Sequence, residues 1–333
     1  MTWPASAPDH CVAEQASGAF REHRGADGSF SLWSQTYGEG FHSGRGALRE
    51  ARETFLAPSQ LERFPPGTPL KVVEVCVGTG TNLAVLLEAC AARSLHLEWW
   101  GLELDPRPLQ VALEAGEFRQ PWQPTTLLAL EQLLEKGTWQ GEGASCRLLW
   151  GDARQTLGEL LRERRGQMDR VWHDAFSPQC CPQLWTLEFL GATAGLLAPK
   201  GRWISYCSAA AVRQAQGLLG LHLAALHPPE GLPPGVNRWS GGTLASWSPL
   251  PPSPLWRELT PMELEHLAST AGEPYRDPGG REDGASILQS RCGAQAEALR
   301  SGRRASSSAW RRRWRVGPSA PETLSGEGTF LDL

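Results

Sequence analysis

The stretch Leu70–Asn82, LKVVEVCVGTGTN, decides the fold. Leu70, Val72, Val73 and Val75 form the apolar, β-branched run expected of a strand buried on both faces. The run ends in Gly78-Thr79-Gly80, and a helical run, Leu83 to Ala92, follows at once. Gly78 and Gly80 would let backbone approach a ligand closely, with the amides of the helix start pointing at it. Gly-x-Gly alone does not separate a nucleotide or nucleoside site from an ordinary strand–turn–helix. The rest of the chain must decide.

Downstream, four more segments read as strands. LHLEWWGLELDP holds one that ends near Glu103, 23 positions after Gly80. CRLLWGD closes on Asp152, MDRVWHDAFSP exits at Asp174, and GRWISYCS is the fifth of the series. LHLAAL and TLASWSPL read as a closing pair. Helical stretches alternate with these strands, which predicts a mostly parallel α/β sheet of seven strands with helices on both faces. Residues 118 to 145 read as an irregular helical insertion, and Pro228 to Gly242 as a long Pro/Gly connection of the functional kind. Upstream, residues 1–25 read as a flexible arm. Asp27 to Leu56 suits a hairpin followed by a helix from Ala47, with Tyr37, His42 and Ser43 in the Gly-rich loop between them. The main domain is therefore expected over residues 26–250. A C-terminal extension, 251–333, should begin with a helix capped by Thr260, with Glu263 in its first turn, and continue as a partly disordered Arg/Gly/Ser-rich stretch.

Composition excludes several classes. With 41% hydrophobic and 20% charged residues over 333 positions, the chain is a globular protein with a sizeable core. Eight cysteines without a CxxC spacing give neither a disulfide framework nor a zinc site, and no metal is expected. No stretch of about 20 apolar residues and no basic-then-apolar leader occurs, which predicts a cytoplasmic protein without a membrane partner. A monomer is the simplest assembly. The formal charge of −4 gives no global pull toward nucleic acid, but Arg291 to Arg315 holds eight arginines against one acid.

Four successive strand ends carry ligand-like residues: the glycine turn, Glu103, Asp152 and Asp174. In a doubly wound sheet these ends share one edge, where ligands bind, and an acid after the second strand can accept both ribose hydroxyls. The third glycine of a dinucleotide fingerprint is replaced by Leu83, which argues against a pyrophosphate. Glu74, inside the strand, would repel a phosphate but could hold a cationic amino acid moiety. S-adenosylmethionine has an ammonium, a sulfonium and a ribose, and no phosphate.

EVCVGTGTN, GLELDP, WGD and DAFSP together resemble the motifs of class I methyltransferases, a Rossmann-like family. DAFSPQCCPQLWT, YCSAAAVRQ and YGEGFHSGRGALREARETFL are similar, more specifically, to the methyltransferase part of the tRNA 5-methylaminomethyl-2-thiouridine biosynthesis protein MnmC. The resemblance covers roughly residues 28 to 248. It implies S-adenosylmethionine-dependent N-methylation of the 5-aminomethyl group of tRNA wobble uridine, without the flavin oxidoreductase step of the fused relatives. It implies that Glu74, Gly78, Gly80 and Asn82 line the methionine end of the cofactor, that Glu103 holds the ribose, and that Asp152 and Ala153 meet the adenine. Asp174 would be the catalytic carboxylate that orients the substrate ammonium and accepts its proton. Tyr37, His42, Ser43, Phe176, Pro178 and Arg238 would contact substrate, while Arg202, Arg213 and the Arg-rich tail are candidates for tRNA phosphates. Cys76 stands where the family has its first motif glycine, and is expected to be tolerated with some loss of affinity. A small-amine methyltransferase or aminopropyltransferase is the alternative, since that related fold keeps a similar glycine turn and strand-end acid.

Overall fold

The computed structural model describes residues 20–228 and 240–316. The chain divides into two compact units. The first comprises Met1–Arg52, Leu61–Thr156 and Asp174–Cys181, and the second Glu53–Gln60, Leu157–His173 and Pro182–Leu333.

In the first unit, β1 (Phe20–Arg24), β2 (Phe30–Ser34) and β3 (Glu39–Gly40) form a small antiparallel sheet. Its first turn is built on side chains: Asp27 accepts from the Ser29 amide at 2.9 Å and from the Arg49 amide at 2.9 Å. Ser29 Oγ accepts from the Ala47 amide at 2.8 Å, so the hairpin caps the helix Ala47–Glu50, whose own N-cap, Gly46, has no side chain. That glycine is obligatory, because its φ is +113° and a Cβ would lie 1.7 Å from Asp27 Oδ1.

The larger sheet of this unit runs β4–β5–β7–β6, with β4 (Pro69–Val75), β5 (His96–Glu103) and β7 (Ala144–Trp150) parallel, and β6 (Thr138–Gly141) antiparallel to β7. Leu70, Val72, Val73 and Val75 are fully buried, as a two-face strand demands. The helices Thr81–Ala91, Arg107–Glu114 and Pro124–Lys136 supply the connections.

In the second unit the order is β12–β10–β11–β9–β8, where β8 (Met168–His173) and β9 (Leu197–Ser205) are parallel. β10 (His222–Leu226), β11 (Gly242–Ser246) and β12 (Trp256–Arg257) add antiparallel pairings. Part of the tryptophan excess is spent here. Trp172, Trp185 and Trp203 are almost wholly buried, and the His173 ring sits 4.4 Å from Trp185 and 5.1 Å from Trp203, with Phe189 alongside at 5.8 Å. Burial holds His173 neutral, with its pKa lowered to about 3.

The large, mostly parallel sheet and its helices agree with the expected α/β class, and β4, β5 and β7 to β11 are the seven anticipated strands. Several local expectations need correction. Residues 118 to 145 are not simply helical, because after the Pro124–Lys136 helix the chain makes the β6–β7 hairpin through Gly143 at φ +75°. β12 is likewise additional, too short to show a periodicity. Phe20–Arg24 is a strand, not part of a loose arm; residues 1–19 lie outside the described chain. Thr260 caps the helix Pro261–Ala268 in a full capping box with Glu263, as anticipated. The stretch beyond it, however, contains the helices Gly284–Arg300 and Ser307–Trp314, capped by Asp283 and Ser306. They bury only Ile287, Ala298 and Trp310, which is why no apolar periodicity betrays them.

Two arginines considered for tRNA are interior. Arg213 is 1% exposed and forms an ion pair with Glu263 at 2.9 Å, with further hydrogen bonds to Thr243 Oγ1, Ser240 Oγ and the Gly242 carbonyl. Arg202, 4% exposed, donates to the Pro58 carbonyl at 2.9 Å and lies over the Trp256 ring. Neither is available to a phosphate.

Candidate active site

All four strand-end features fall within the first unit. The Asp174 amide donates to the Val75 carbonyl at 3.0 Å, so the segment beginning at Asp174 lies beside the end of β4. From there β4 turns through three left-handed residues, Cys76 at φ +66°, Gly78 at +56° and Gly80 at +81°. Gly80 is the N-cap of the Thr81–Ala91 helix and carries no capping side chain. The turn therefore presents backbone at the start of an eleven-residue helix. Cys76 holds the strained conformation with a Cβ, its amide donating to the Leu102 carbonyl at 2.9 Å.

Glu74 and Glu103 lie on the same sheet face, because Glu74 pairs with Gly101 in the parallel register and Glu103 follows two residues on. Trp99 is on that face too. The missing side chain at Gly101, where a Cβ would stand 2.2 Å from the indole, lets the Trp99 ring lie across and donate its Nε1–H to Glu74 Oε2 at 3.0 Å. Glu74 is fully buried, and its other oxygen, Oε1, has no hydrogen-bond partner among the described residues. Burial, and then the neighbouring Asp174, push its carboxyl well above the ordinary range, against the pull of Trp99 and Asn82. Asp174 is half-buried and accepts from Asn82 Nδ2 at 2.8 Å. Its carboxyl is also raised, by burial and by the nearly buried Glu50. Glu103 accepts from the Gly78 amide at 2.9 Å and from the Leu104 and Asp105 amides at 2.7 and 2.9 Å. Burial raises its carboxyl, and these amides counteract it. The result is a cluster of buried and half-buried carboxylates in which one oxygen, Glu74 Oε1, has no hydrogen-bond partner among the described residues. Such a donor set suits an ammonium or sulfonium and rejects a phosphate.

The small N-terminal sheet brings its aromatic residues to the same place. Tyr37 stacks on Phe176 at 4.5 Å and 24°, and Phe41 meets the Phe176 edge at 5.1 Å. Phe41 also covers the glycine turn, since a Cβ on Gly78 would be 3.0 Å from its ring. Glu39 fastens the arrangement by accepting from the Ser177 amide at 2.8 Å. The Tyr37 hydroxyl is pushed up to about 12 by burial, then by nearby Cys181, so it stays protonated.

The other expected contacts sort differently. His42 is buried, with Nδ1 2.9 Å from Ser31 Oγ, and burial followed by the charge of His23 lowers its pKa to about 4. It is a neutral packing residue of the hairpin. Ser43 is exposed and donates its amide to Glu50 Oε2 at 3.1 Å, while Pro178 is buried. Ala153 is buried at the start of the Ala153–Arg164 helix, and Asp152 is held in a bidentate pair by Arg154, at 2.7 Å from Nη2. Asp105 and Arg107 repeat that arrangement one strand away. Arg238 lies outside the described residues. Trp99, Phe41 and Arg154 carry no signal in the sequence analysis above. The Trp-x-Gly spacing in β5 is the one local signal that could have pointed to the Glu74–Trp99 bond.

Comparison with known proteins gives this geometry a context. Residues 114–229 match a family described as S-adenosyl-L-methionine-dependent methyltransferase. The chain is 29% identical over 250 residues to the tRNA 5-methylaminomethyl-2-thiouridine biosynthesis bifunctional protein MnmC of Chromobacterium violaceum, covering 68% of this chain and 36% of that protein. It is 30% identical over 194 residues to the MnmC of Pseudomonas paraeruginosa, covering 54% and 29%. It thus spans about a third of the length of these curated relatives. Among solved structures, MnmC2 from Aquifex aeolicus superposes with a TM-score of 0.70 at 29% identity, over 85% of this chain and 86% of that one.

Proposed function

We propose that this S-adenosylmethionine-dependent methyltransferase, of class I fold and MnmC-like over most of its length, N-methylates the 5-aminomethyl group of the wobble uridine in tRNA. The product would carry a 5-methylaminomethyl group, with or without the 2-thio substituent. The observation that carries the reading is the Asn82–Asp174 pair next to the Tyr37–Phe176 stack, beside the buried, half-satisfied Glu74.

The cofactor supplies an already activated methyl group, so the protein's task is alignment above all. Glu74, with its free Oε1, fits the ammonium of the methionine end, and Gly78 and Gly80 leave backbone open beside it. Glu103 would exchange part of its amide hydrogen bonding for the ribose hydroxyls. Asp152 would meet the adenine with its Arg154-bound carboxylate or after releasing that arginine.

On the acceptor side, an alkyl amine arrives mostly protonated at neutral pH. Asp174 is oriented by Asn82, and its raised carboxyl makes it a stronger base than an exposed aspartate. It would hold the substrate ammonium and take up one proton, freeing the nitrogen lone pair to attack the methyl carbon in line as the sulfonium S–CH3 bond breaks and S-adenosylhomocysteine leaves. Phe176 and Tyr37 provide the face on which an unstacked base is held. Phe41 spans the Phe176 ring and the glycine turn, so it couples the base platform to the cofactor loop.

Mass spectrometry of tRNA nucleosides from a strain lacking the gene tests the proposal. Accumulation of 5-aminomethyl-uridine derivatives, reversed by the wild-type gene, is expected. An unchanged nucleoside profile would overturn it.

A further inference from the structure

Electrostatics restricts where this chain could grip a polyanion. Residues 291–315 contribute eight arginines and one glutamate, so the remainder of the chain carries a formal charge of −11 against the total of −4. The catalytic edge itself is lined by carboxylates. The net charge of the remainder repels a phosphate backbone, and this segment is a dense local excess of positive charge.

The structure divides the eight arginines into two groups. Arg291 donates to the Glu273 and Ala271 carbonyls and covers the Tyr275 ring at 4.4 Å. Arg303 and Arg304 both bind Glu273, at 3.3 and 2.8 Å, and Arg304 also donates to the Leu267 carbonyl. Arg300 pairs with Glu297, and Arg313 with Glu265 at 3.2 Å. These five are committed within the C-terminal segment itself. Arg311, Arg312 and Arg315 form no ion pair or side-chain hydrogen bond among the described residues, and all three are exposed. Arg311 and Arg312 lie about 100° apart around the end of the last described helix, and Arg315 is its left-handed C-cap. The helix is anchored: Trp310 is buried, stacks on His266 at 3.8 Å and 11°, and donates Nε1–H to the Met262 carbonyl. A fixed helix thus presents three uncommitted guanidiniums outward, near the helix C-terminus, where cations are also favoured by the dipole.

We infer that Arg311, Arg312 and Arg315 form a docking surface for the phosphate backbone of the tRNA substrate, a statement that rests on the function proposed above. Each exposed guanidinium can pair bidentately with a phosphate, and the substrate of the function proposed above supplies a continuous run of phosphates. On this helix the large exposed apolar side chain is Trp314, and its indole N–H is tied to Glu265.

The test uses the full chain and a variant carrying Arg311→Gln, Arg312→Gln and Arg315→Gln. Binding of bulk tRNA is measured by fluorescence anisotropy between about 50 and 200 mM salt, where each neutralised phosphate adds about 0.7–0.9 to the logarithmic slope. The variant should show a slope shallower by roughly 2 to 3 and at least about tenfold weaker binding at low salt. Its thermal midpoint and S-adenosylhomocysteine affinity should match the wild type. A second variant, Arg303→Gln with Arg304→Gln, should lower the thermal midpoint instead, because those side chains hold Glu273. An unaltered salt slope in the triple variant overturns the inference, even if wobble methylation is intact. A shallower slope in a protein that leaves wobble uridine unmethylated supports the surface and refutes the functional reading alone.

Discussion

Glu74→Gln separates the electrostatic reading of the pocket from a purely steric one. Glu74 is buried with one oxygen bound to Trp99 and the other unpartnered among the described residues, next to Asp174. Glutamine is nearly isosteric, keeps an acceptor for the Trp99 indole, and removes one negative charge. A hydrogen bond to a charged group contributes about 1.5–3 kcal/mol, so losing the charge should weaken S-adenosylmethionine or S-adenosylhomocysteine binding roughly 10- to 150-fold. The free protein should respond in the opposite sense. Because the folded carboxyl is held above its ordinary value, the native state keeps a proton that the unfolded chain releases. Stability of the wild type therefore falls as pH rises from the ordinary carboxylate range toward the raised one. The variant lacks that loss, and its advantage should grow with pH. Binding a cation to the wild type should expel the proton, which titration calorimetry in two buffers of different ionisation enthalpy would detect. Equal affinities for wild type and variant, together with parallel pH–stability curves, would refute the assignment of Glu74 to the cationic end of the ligand.

Other perturbations address separate parts of the molecule. Asp174→Asn should abolish methylation while leaving S-adenosylhomocysteine affinity within a few-fold, because it removes the proton acceptor but keeps a partner for Asn82; rapid turnover by the variant would refute the role. Arg213→Ala should cost about 1–3 kcal/mol in chemical denaturation, because it takes the buried partner from one Glu263 oxygen while Arg257 keeps the other, and an unchanged stability would contradict that pairing. For Glu263, burial alone would raise the carboxyl, but Arg257, Thr260 and Arg213 hold it at about 2. Its stabilising contribution is present above the ordinary value of 4.5 and is lost as pH falls through about 2, so Glu263→Gln should flatten the acid limb of the stability curve. Cys76→Gly should raise stability by about 0.5–1 kcal/mol, the relief of left-handed strain exceeding the added chain entropy; thermal denaturation would show it, and a loss would mean that the contacts of the half-buried thiol matter more.

By itself the sequence determined the α/β architecture and the line of strand ends, since both follow from local patterns. The β-branched run Leu70–Val75 must be buried, and Gly78 and Gly80 supply left-handed turns that few other residues adopt at low cost. Placing Glu103, Asp152 and Asp174 at strand ends needed only strand periodicity and direction. The helices after Gly284 escaped that reading because each buries only one or two positions. What only the tertiary structure decided is which charged and aromatic groups are already committed. Arg202 and Arg213 look like surface arginines in the sequence, yet partners 144 and 50 residues away take them inside. Glu39 reaches Ser177 across 138 residues, and Tyr37 and Phe41 join Phe176 in the same way. Composition and spacing carry no trace of such pairings, because hydrogen bonds and ring contacts depend on distance in space and not along the chain.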